Sequence, residues 1–468
     1  MNNHPPTFAV VGQPNKGKSS VVATLARLSD IEISARSGTT QKSDGFDVKT
    51  NDNVLYRLYD TPGFQRARQV MHWLSSQNPD ASQRAQTVQD FIQYAKSTDQ
   101  FHDECELLTP IFLDKSSTGI IYVVDGSCEY HPSIEAELEI LQWTGQPRMA
   151  LINPIESDEF VEQWKQALGQ YFSIVRVFNP VSANFDEQMQ LLDGFMQLEG
   201  NWQGALQNAK TQLKAEKQSL VTLSSYQITL MIEQVLRLQI KLPIVHESMI
   251  ETEKNALLAK FKKQIIELES NCFLQLGLLF KHHIQISSEA IQMDTDALFD
   301  KEQWFLWGLN QTQLVKYSAM AGFTLGAAID LSVGGASLLL GAISGGVVGG
   351  VGSLAAMKYS DKWLKDIHLV GEKIVIGPIG NQAFMFALLG RSISFLNTLN
   401  KRNHANQNNQ IAINDIEVKA TNWSKSLSSK QLLELTKLLK VVNKRAWKLS
   451  EQSKMQSLIV KILDSQSL

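Results

Sequence analysis

The chain has 468 residues, 43% hydrophobic and 19% charged; at roughly 100–200 residues per domain this suits two to four packed globular domains and excludes a disordered chain. The net charge of −3 offers no bulk field for nucleic acid, but 17 Lys+Arg against 8 Asp+Glu from Lys358 onward leave a +9 tail behind a −12 body. Such a tail suits phosphates or anionic lipid, and equally the solvated faces of helices.

Thr7–Val11 is a short apolar run ending in a Gly-rich loop, and Ser19–Leu28 reads as a helix. Further strands are predicted at Val54–Tyr59, Gly119–Val124, Met149–Ile152 and Phe172–Phe178, with helices between them at Glu135–Trp143 and Ser157–Leu168. Strands alternating with helices predict an α/β fold with a doubly wound, mostly parallel sheet over residues 1–199. Residues 66–115 are too long for a plain crossover and carry Val88, Phe91, Ile92 and Tyr94 at helical spacing, so a helical insertion is expected there. Beyond Glu199 the pattern turns to long helices, Trp202–Leu238 and His246–His283, read as a bundle or stalk over 200–317. Residues 318–360 are glycine-rich and apolar, and 361–468 form a basic helical region. In that last region Glu372–Gly377 reads as a short strand, 403–409 as a polar linker and Ser424–Leu463 as one or two amphipathic helices. Cys105, Cys128 and Cys272 are too few and too scattered for a disulfide framework or a zinc motif, which points to a reducing, cytoplasmic setting. Met1–Pro6 lacks the basic stretch and apolar run of a signal peptide.

Gly12-Gln13-Pro14-Asn15-Lys16-Gly17-Lys18-Ser19, followed by Ser20, fits G-x-x-x-x-G-K-[ST] between a strand and a helix. Glycines at this spacing let backbone N–H groups turn around phosphates, and the helix start adds partial positive charge. Lys18 is then expected to reach the β- and γ-phosphates, and Ser19 to offer its hydroxyl to Mg²⁺. Asp60-Thr61-Pro62-Gly63 follows the next strand. Its Asp60 can hold Mg²⁺ and the N–H of Gly63 can meet the γ-phosphate. Ser37-Gly38-Thr39-Thr40 lies between the two loops, and Thr40 is chosen over Thr39 to complete the metal shell while the γ-phosphate is present. Catalysis would thus rest on Lys18, Thr40 and Gly63. Asn153-Pro154-Ile155-Glu156 occupies the place of a guanine-reading N-K-x-D, with Glu156 one methylene longer than Asp and Pro154 unable to supply a lysine stem over the base. Ser182-Ala183-Asn184 fits the last base-contacting loop with a changed third residue.

These motifs, GQPNKGKSS, SGTT, DTPG, NPIE and VSAN, resemble those of the P-loop GTPases of the Era, TrmE and EngA branch over about residues 7–195. The resemblance implies GTP/GDP and Mg²⁺ as cofactors. It also implies K⁺ held by Asn15, since this branch carries Asn at that place; a loop-stabilising Asn is the other reading. Phe64 follows the DTPG glycine where Ras-like proteins carry Gln, and that too fits the branch. The whole chain is also similar to a bacterial family in which such a GTPase is fused to a helical C-terminal domain of unknown function.

The C-terminal half carries the open questions. Leu331–Met357 has no charged residue, with glycines four apart at Gly341, Gly345 and Gly349. It is long enough to cross a bilayer, and small residues at that spacing allow close helix packing. Three readings follow: insertion in a membrane, a tight hairpin inside a soluble helical domain, or exposure in one nucleotide state only. The expectation is a GTP-hydrolysing switch with a helical effector, peripheral or integral at the bacterial inner membrane. Alternatives are a nucleotide-gated scaffold with negligible turnover and a ribosome- or RNA-associated GTPase, the latter without any recognised RNA-binding motif. Among partners, nucleic acid is expected to be absent, while a nucleotide-dependent homodimer and a protein partner stay open.

Overall fold

The computed structural model describes residues 5–26, 43–50, 53–98, 100–113, 118–243, 250–280, 299, 368–370, 373–379, 382–401 and 423–465. The chain forms two compact units, the first built mainly from Met1–Ser219 and the second from Leu220–Asn400 and Asn409–Gln466.

The first unit runs β1 (Thr7–Val11), α1 (Lys18–Ala26), β2 (Asp44–Thr50), β3 (Asn53–Asp60), α2 (Ala67–Ser76), α3 (Arg84–Thr98), α4 (His102–Leu108), β4 (Thr118–Asp125) and α5 (Glu135–Trp143). It continues with β5 (Arg148–Asn153), α6 (Val161–Leu168), β6 (Val175–Val177), α7 (Phe185–Leu198) and the start of α8 (Gln203–Arg237). Six strands form one sheet in the order β2-β3-β1-β4-β5-β6. All neighbours are parallel except the β2–β3 pair. Strand order reverses between β1 and β4, so the crevice at their carboxyl ends is where such a sheet binds ligands.

Both sheet faces are covered, which is why β4 reads as an unbroken apolar run. Ala9, Val11, Ile120, Tyr122, Ala150 and Ile152 pack with residues of α2, α3, α4, α5 and α6 on one side. Phe8, Val10, Ile121, Val123, Met149 and Leu151 pack with α1, α7 and Leu206, Ala209 and Leu213 of α8 on the other. Between β3 and β4 the described residues carry α2, α3 and α4, and Val70, Leu74, Val88, Phe91 and Leu108 bury them against the sheet.

Two predicted elements are shorter than their sequence pattern. Strand β6 covers only Val175–Val177, because Phe172 serves as loop packing, its ring stacked 5.7 Å from Tyr122. Helix α6 starts at Val161, after a turn at Ser157–Phe160. Strand β2 was not expected. Its sequence DGFDVKT carries charge at Asp44, Asp47 and Lys49, and only Val48 is fully buried, as befits an edge strand.

The second unit contains the rest of α8, β7 (Ile240–Pro243), α9 (Ile250–Leu279), β8 (His368–Val370), β9 (Lys373–Ile376), α10 (Gln382–Lys401), α11 (Ser429–Lys444) and α12 (Leu449–Ser465). The three short strands pair antiparallel in the order β7-β9-β8. Helix α10 is the core: every residue from Phe384 to Leu396 is buried. Such a helix is apolar all round rather than striped. The one charge within that buried stretch, Arg391, is 2% exposed and meets both carboxylate oxygens of Glu269 on α9, at 2.9 and 3.0 Å.

Among the described residues no helix is long and apolar enough to cross a membrane. The segment 318–360, the linker 403–409 and the loop Ser37–Thr40 lie outside the described residues.

Candidate nucleotide site

The loop Gly12–Lys16 joins β1 to α1 at the sheet's switch point, with Gly17 leading into the helix. Gly12 has φ +140° and Gly17 φ +89°, conformations that L side chains rarely adopt. Contact reinforces the need for glycine. A Cβ on Gly12 would lie 2.4 Å from the Val123 carbonyl oxygen, and one on Gly17 would lie 2.3 Å from Nδ2 of Asn153. Asn15 sits at φ +60°, a left-handed position that Asn tolerates better than most residues. That conformation gives Asn15 a part in shaping the loop. Lys18 is 7% exposed and its Nζ donates to the Gln13 carbonyl at 2.8 Å. Burial lowers its pKa, against the opposing pull of Asp60 and Glu137. A lysine desolvated in this way gains from an incoming anion.

The second loop closes on the first. Ser19 Oγ donates to Asp60 Oδ2 at 2.6 Å. Thr61 Oγ1 donates to the Val10 carbonyl at 2.7 Å, and Phe64 N–H to the Gly12 carbonyl at 3.3 Å. Gly63 is packed so closely that a Cβ would stand 2.4 Å from the nitrogen of Pro14. Ser19 and Asp60 therefore place a hydroxyl and a carboxylate side by side, the oxygen donors that Mg²⁺ prefers. Among the described residues no group of three or more His, Cys, Asp or Glu is arranged to hold a metal.

The base-side loops are only partly joined to this cradle. Asn153 is 4% exposed and its Nδ2 donates to the Lys16 carbonyl at 3.3 Å, tying β5 to the phosphate loop. Lys16 Nζ lies 3.3 Å from Asp125 Oδ2. Burial alone would raise the Asp125 carboxyl, but hydrogen bonds from Ser127, Cys128 and Lys16 outweigh it and hold the group below its usual range. Asn179 Nδ2 donates to the Pro154 carbonyl at 3.2 Å, linking the last two loops. Glu156 and Ser182 are exposed, and Ala183 is half-buried.

Three acidic residues at the site escaped the sequence reading. Glu137 on α5 accepts from Gln13 Nε2 at 3.0 Å and from Tyr122 Oη at 2.8 Å. Glu104 on α4 is 1% exposed and accepts from the backbone N–H groups of Gln65 at 3.0 Å and Arg66 at 2.5 Å. Its neighbour Glu106 accepts at its carbonyl oxygen from Ser43 Oγ at 2.5 Å and at Oε2 from Ser43 N–H at 3.4 Å. Helix α4 thus touches both Ser43, which follows the Ser37–Thr40 loop in sequence, and the residues just after Gly63.

Residues 7–154 match the family described as 50S ribosome-binding GTPase. This part of the chain is a P-loop GTPase domain, as its loops indicate. Residues 165–464, well over half of the chain, match the family described as Domain of unknown function (DUF3482). The chain belongs to the DUF3482 family. No curated protein matches it. Among solved structures it is similar to Aquifex aeolicus Era bound to GDP·AlF4⁻, at 16% identity and TM-score 0.26, over 41% of this chain and 56% of that one. It is also similar to Era in complex with MgGDPNP and nucleotides 1506–1542 of 16S ribosomal RNA, at 16% identity and TM-score 0.26, over 42% and 57%. This DUF3482 chain therefore spans little more than half the length of either Era structure.

Proposed function

We propose that the chain is a GTP-hydrolysing molecular switch whose helical second unit is the effector at the cytoplasmic membrane face. The observation that carries this is the pair of loops Gly12–Ser19 and Asp60–Gly63, held in contact at Ser19–Asp60 and Gly63–Pro14. In this reading the loop amides and Lys18 take the β- and γ-phosphates. Ser19 and Asp60, joined by Thr40 in the GTP state, hold Mg²⁺, which when bound neutralises charge on the phosphates. Gly63 presents its N–H to the γ-phosphate. Asn153 and Glu156 select guanine, Ser182 and Ala183 line the base, and Asn15 holds K⁺ in place of a catalytic side chain. Phosphoryl transfer needs such positioning and charge neutralisation more than covalent chemistry. Loss of the γ-phosphate frees the Thr40 and Gly63 segments, and α4 passes that change onward through Glu104 and Glu106. Membrane contact through 318–360 and nucleotide-dependent pairing of two copies complete the proposal.

Lys18→Ala tests it. Binding of a fluorescent GTP analogue with Mg²⁺ is expected to weaken by at least about a hundredfold, on the scale of a lost charge-assisted contact in a desolvated site. Hydrolysis is expected to be faster in K⁺ than in Na⁺ for the native chain only. Uptake that is equal in the native and Lys18→Ala chains would overturn the site. Tight binding without turnover in either salt would leave a nucleotide-gated scaffold instead.

A further inference from the structure

The second unit carries a strongly charged surface that the nucleotide site does not use. Helices α11 and α12 run antiparallel, joined by the short turn at Arg445–Lys448, and pack through Leu432, Leu435, Leu439, Ile459 and Ile462. Residues 423–465 hold nine Lys+Arg against three Asp+Glu. On α11, Lys430, Lys437 and Lys444 are all exposed and recur every seven residues. Seven residues advance a helix by about 10.5 Å with a drift of only about 20°, so the three amines form a nearly straight row. A second row comes from α12. Lys461 Nζ donates to Gln431 Oε1 at 2.9 Å, and Lys454 Nζ lies 3.8 Å from Glu434 Oε1. Each of those α11 partners lies within three residues of Lys430 or Lys437, so the rows stand side by side. Of the three acids, Glu434 is engaged by Lys454, Glu451 is held by both terminal nitrogens of Arg445 at 2.7 and 2.8 Å, and Asp464 is exposed near the end of α12. At the turn, next to exposed Lys448, Leu449 is 85% exposed.

We propose that the α11–α12 hairpin docks on an anionic lipid surface, with its lysine rows over the headgroups and Leu449 entering the interface. The proposal rests on the membrane reading given above and places a contact on the hairpin, in addition to 318–360. The chemistry favours lipid over nucleic acid. The cations of both rows are lysines, compact charges suited to a diffuse anionic plane, while the one arginine of residues 423–465 is held in a bidentate pair. Nucleic-acid readers stack bases on exposed aromatic rings, and both tryptophans of the hairpin region, Trp423 and Trp447, are buried.

The test uses the full chain and co-sedimentation with phosphatidylcholine vesicles, with and without phosphatidylglycerol. The expected result is binding that needs phosphatidylglycerol and falls steeply as salt rises. Each lysine near such a surface contributes about a fivefold gain in partition, so the triple variant K430Q/K437Q/K444Q is expected to lose about a hundredfold. The charge-keeping K430R/K437R/K444R variant retains binding, and L449S weakens it severalfold. Should the glutamine variant fail to fold by circular dichroism, the arginine variant and the salt series of the native chain decide. Binding by the glutamine variant equal to native, or binding shared with neutral vesicles and insensitive to salt, overturns the hairpin face while leaving membrane contact through 318–360 standing. No binding to either vesicle overturns both, and capture of single-stranded RNA with the same lysine dependence but no vesicle binding replaces lipid with nucleic acid. Nucleotide uptake by the triple variant is expected to match native, which separates this result from the fate of the GTP site.

Discussion

Glu137 shows how one buried residue ties the phosphate loop to pH. Its side chain is 3% exposed, yet it carries a carboxyl against Gln13 and Tyr122. Burial raises that carboxyl from 4.5 to about 7, although the bonds from Gln13 and Tyr122 and the charge of Lys18 all pull it down. A folded-state value above the unfolded one means that the native chain keeps the proton between those two pH values while the unfolded chain has released it. The stability this contributes is complete below pH 4.5 and is lost as pH rises through about 7. A gap of this size corresponds to about 3 kcal/mol. Glu137→Gln keeps the shape and can keep both hydrogen bonds, but does not titrate. In denaturant unfolding it is expected to match the native chain at the acid end of that window and to be more stable by up to about 3 kcal/mol above it. A difference that stays flat with pH would mean that Glu137 has the same proton affinity folded and unfolded.

At the scale of an element, α2 depends on a cap from outside itself. Its N-cap Arg66 makes no side-chain cap bond. Glu104 supplies the acceptor instead, taking the N–H groups of Gln65 and Arg66 from α4. A carboxylate there also meets the positive end of the helix dipole. Glu104→Ala is expected to cost about 2–3 kcal/mol in unfolding, the scale of hydrogen bonds to a charged acceptor. Amide exchange should quicken at Gln65 and Arg66 more than within α2; an even change from Gln65 along the helix would reject the capping role. This dependence also marks the limit of reading the sequence. Gly12–Ser19 and Asp60–Gly63 were legible as motifs because each is a run of eight or fewer adjacent residues with fixed chemistry. The sheet was legible because strands buried on both faces are apolar runs and the helices between them have period 3.6. Glu104, Glu106 and Glu137 were not, because their partners lie 15 to 124 residues away and nothing local sets them apart from solvated acids. Helix α10 escaped for the opposite reason: buried on all sides, it has no polar face to create a period.

At the scale of the whole molecule, the switch reading makes a demand on α8. This helix of 35 residues starts in the first unit, where Leu206, Ala209 and Leu213 pack under the sheet. It ends in the second, where Ile228, Ile232 and Val235 join the core around α10. A ligand that binds only the folded first unit stabilises it by about 2.7 kcal/mol at a hundredfold excess over Kd. For a unit built mainly from Met1–Ser219, each kcal/mol moves the transition by about 2–4 °C, so calorimetry should show a shift of about 5–10 °C in one of two transitions when GDP and Mg²⁺ are added. A non-hydrolysable GTP analogue is expected to move that transition further and to move the second one as well, because a shared helix lets nucleotide state change the stability of both cores. Substituting Leu220 by Pro would interrupt the helix at the boundary between the units and cost it a backbone hydrogen bond. In that variant the first transition should still respond to nucleotide while the second falls silent. A second transition that ignores the GTP analogue in the native chain would make α8 a simple connector and leave the switch without its effector.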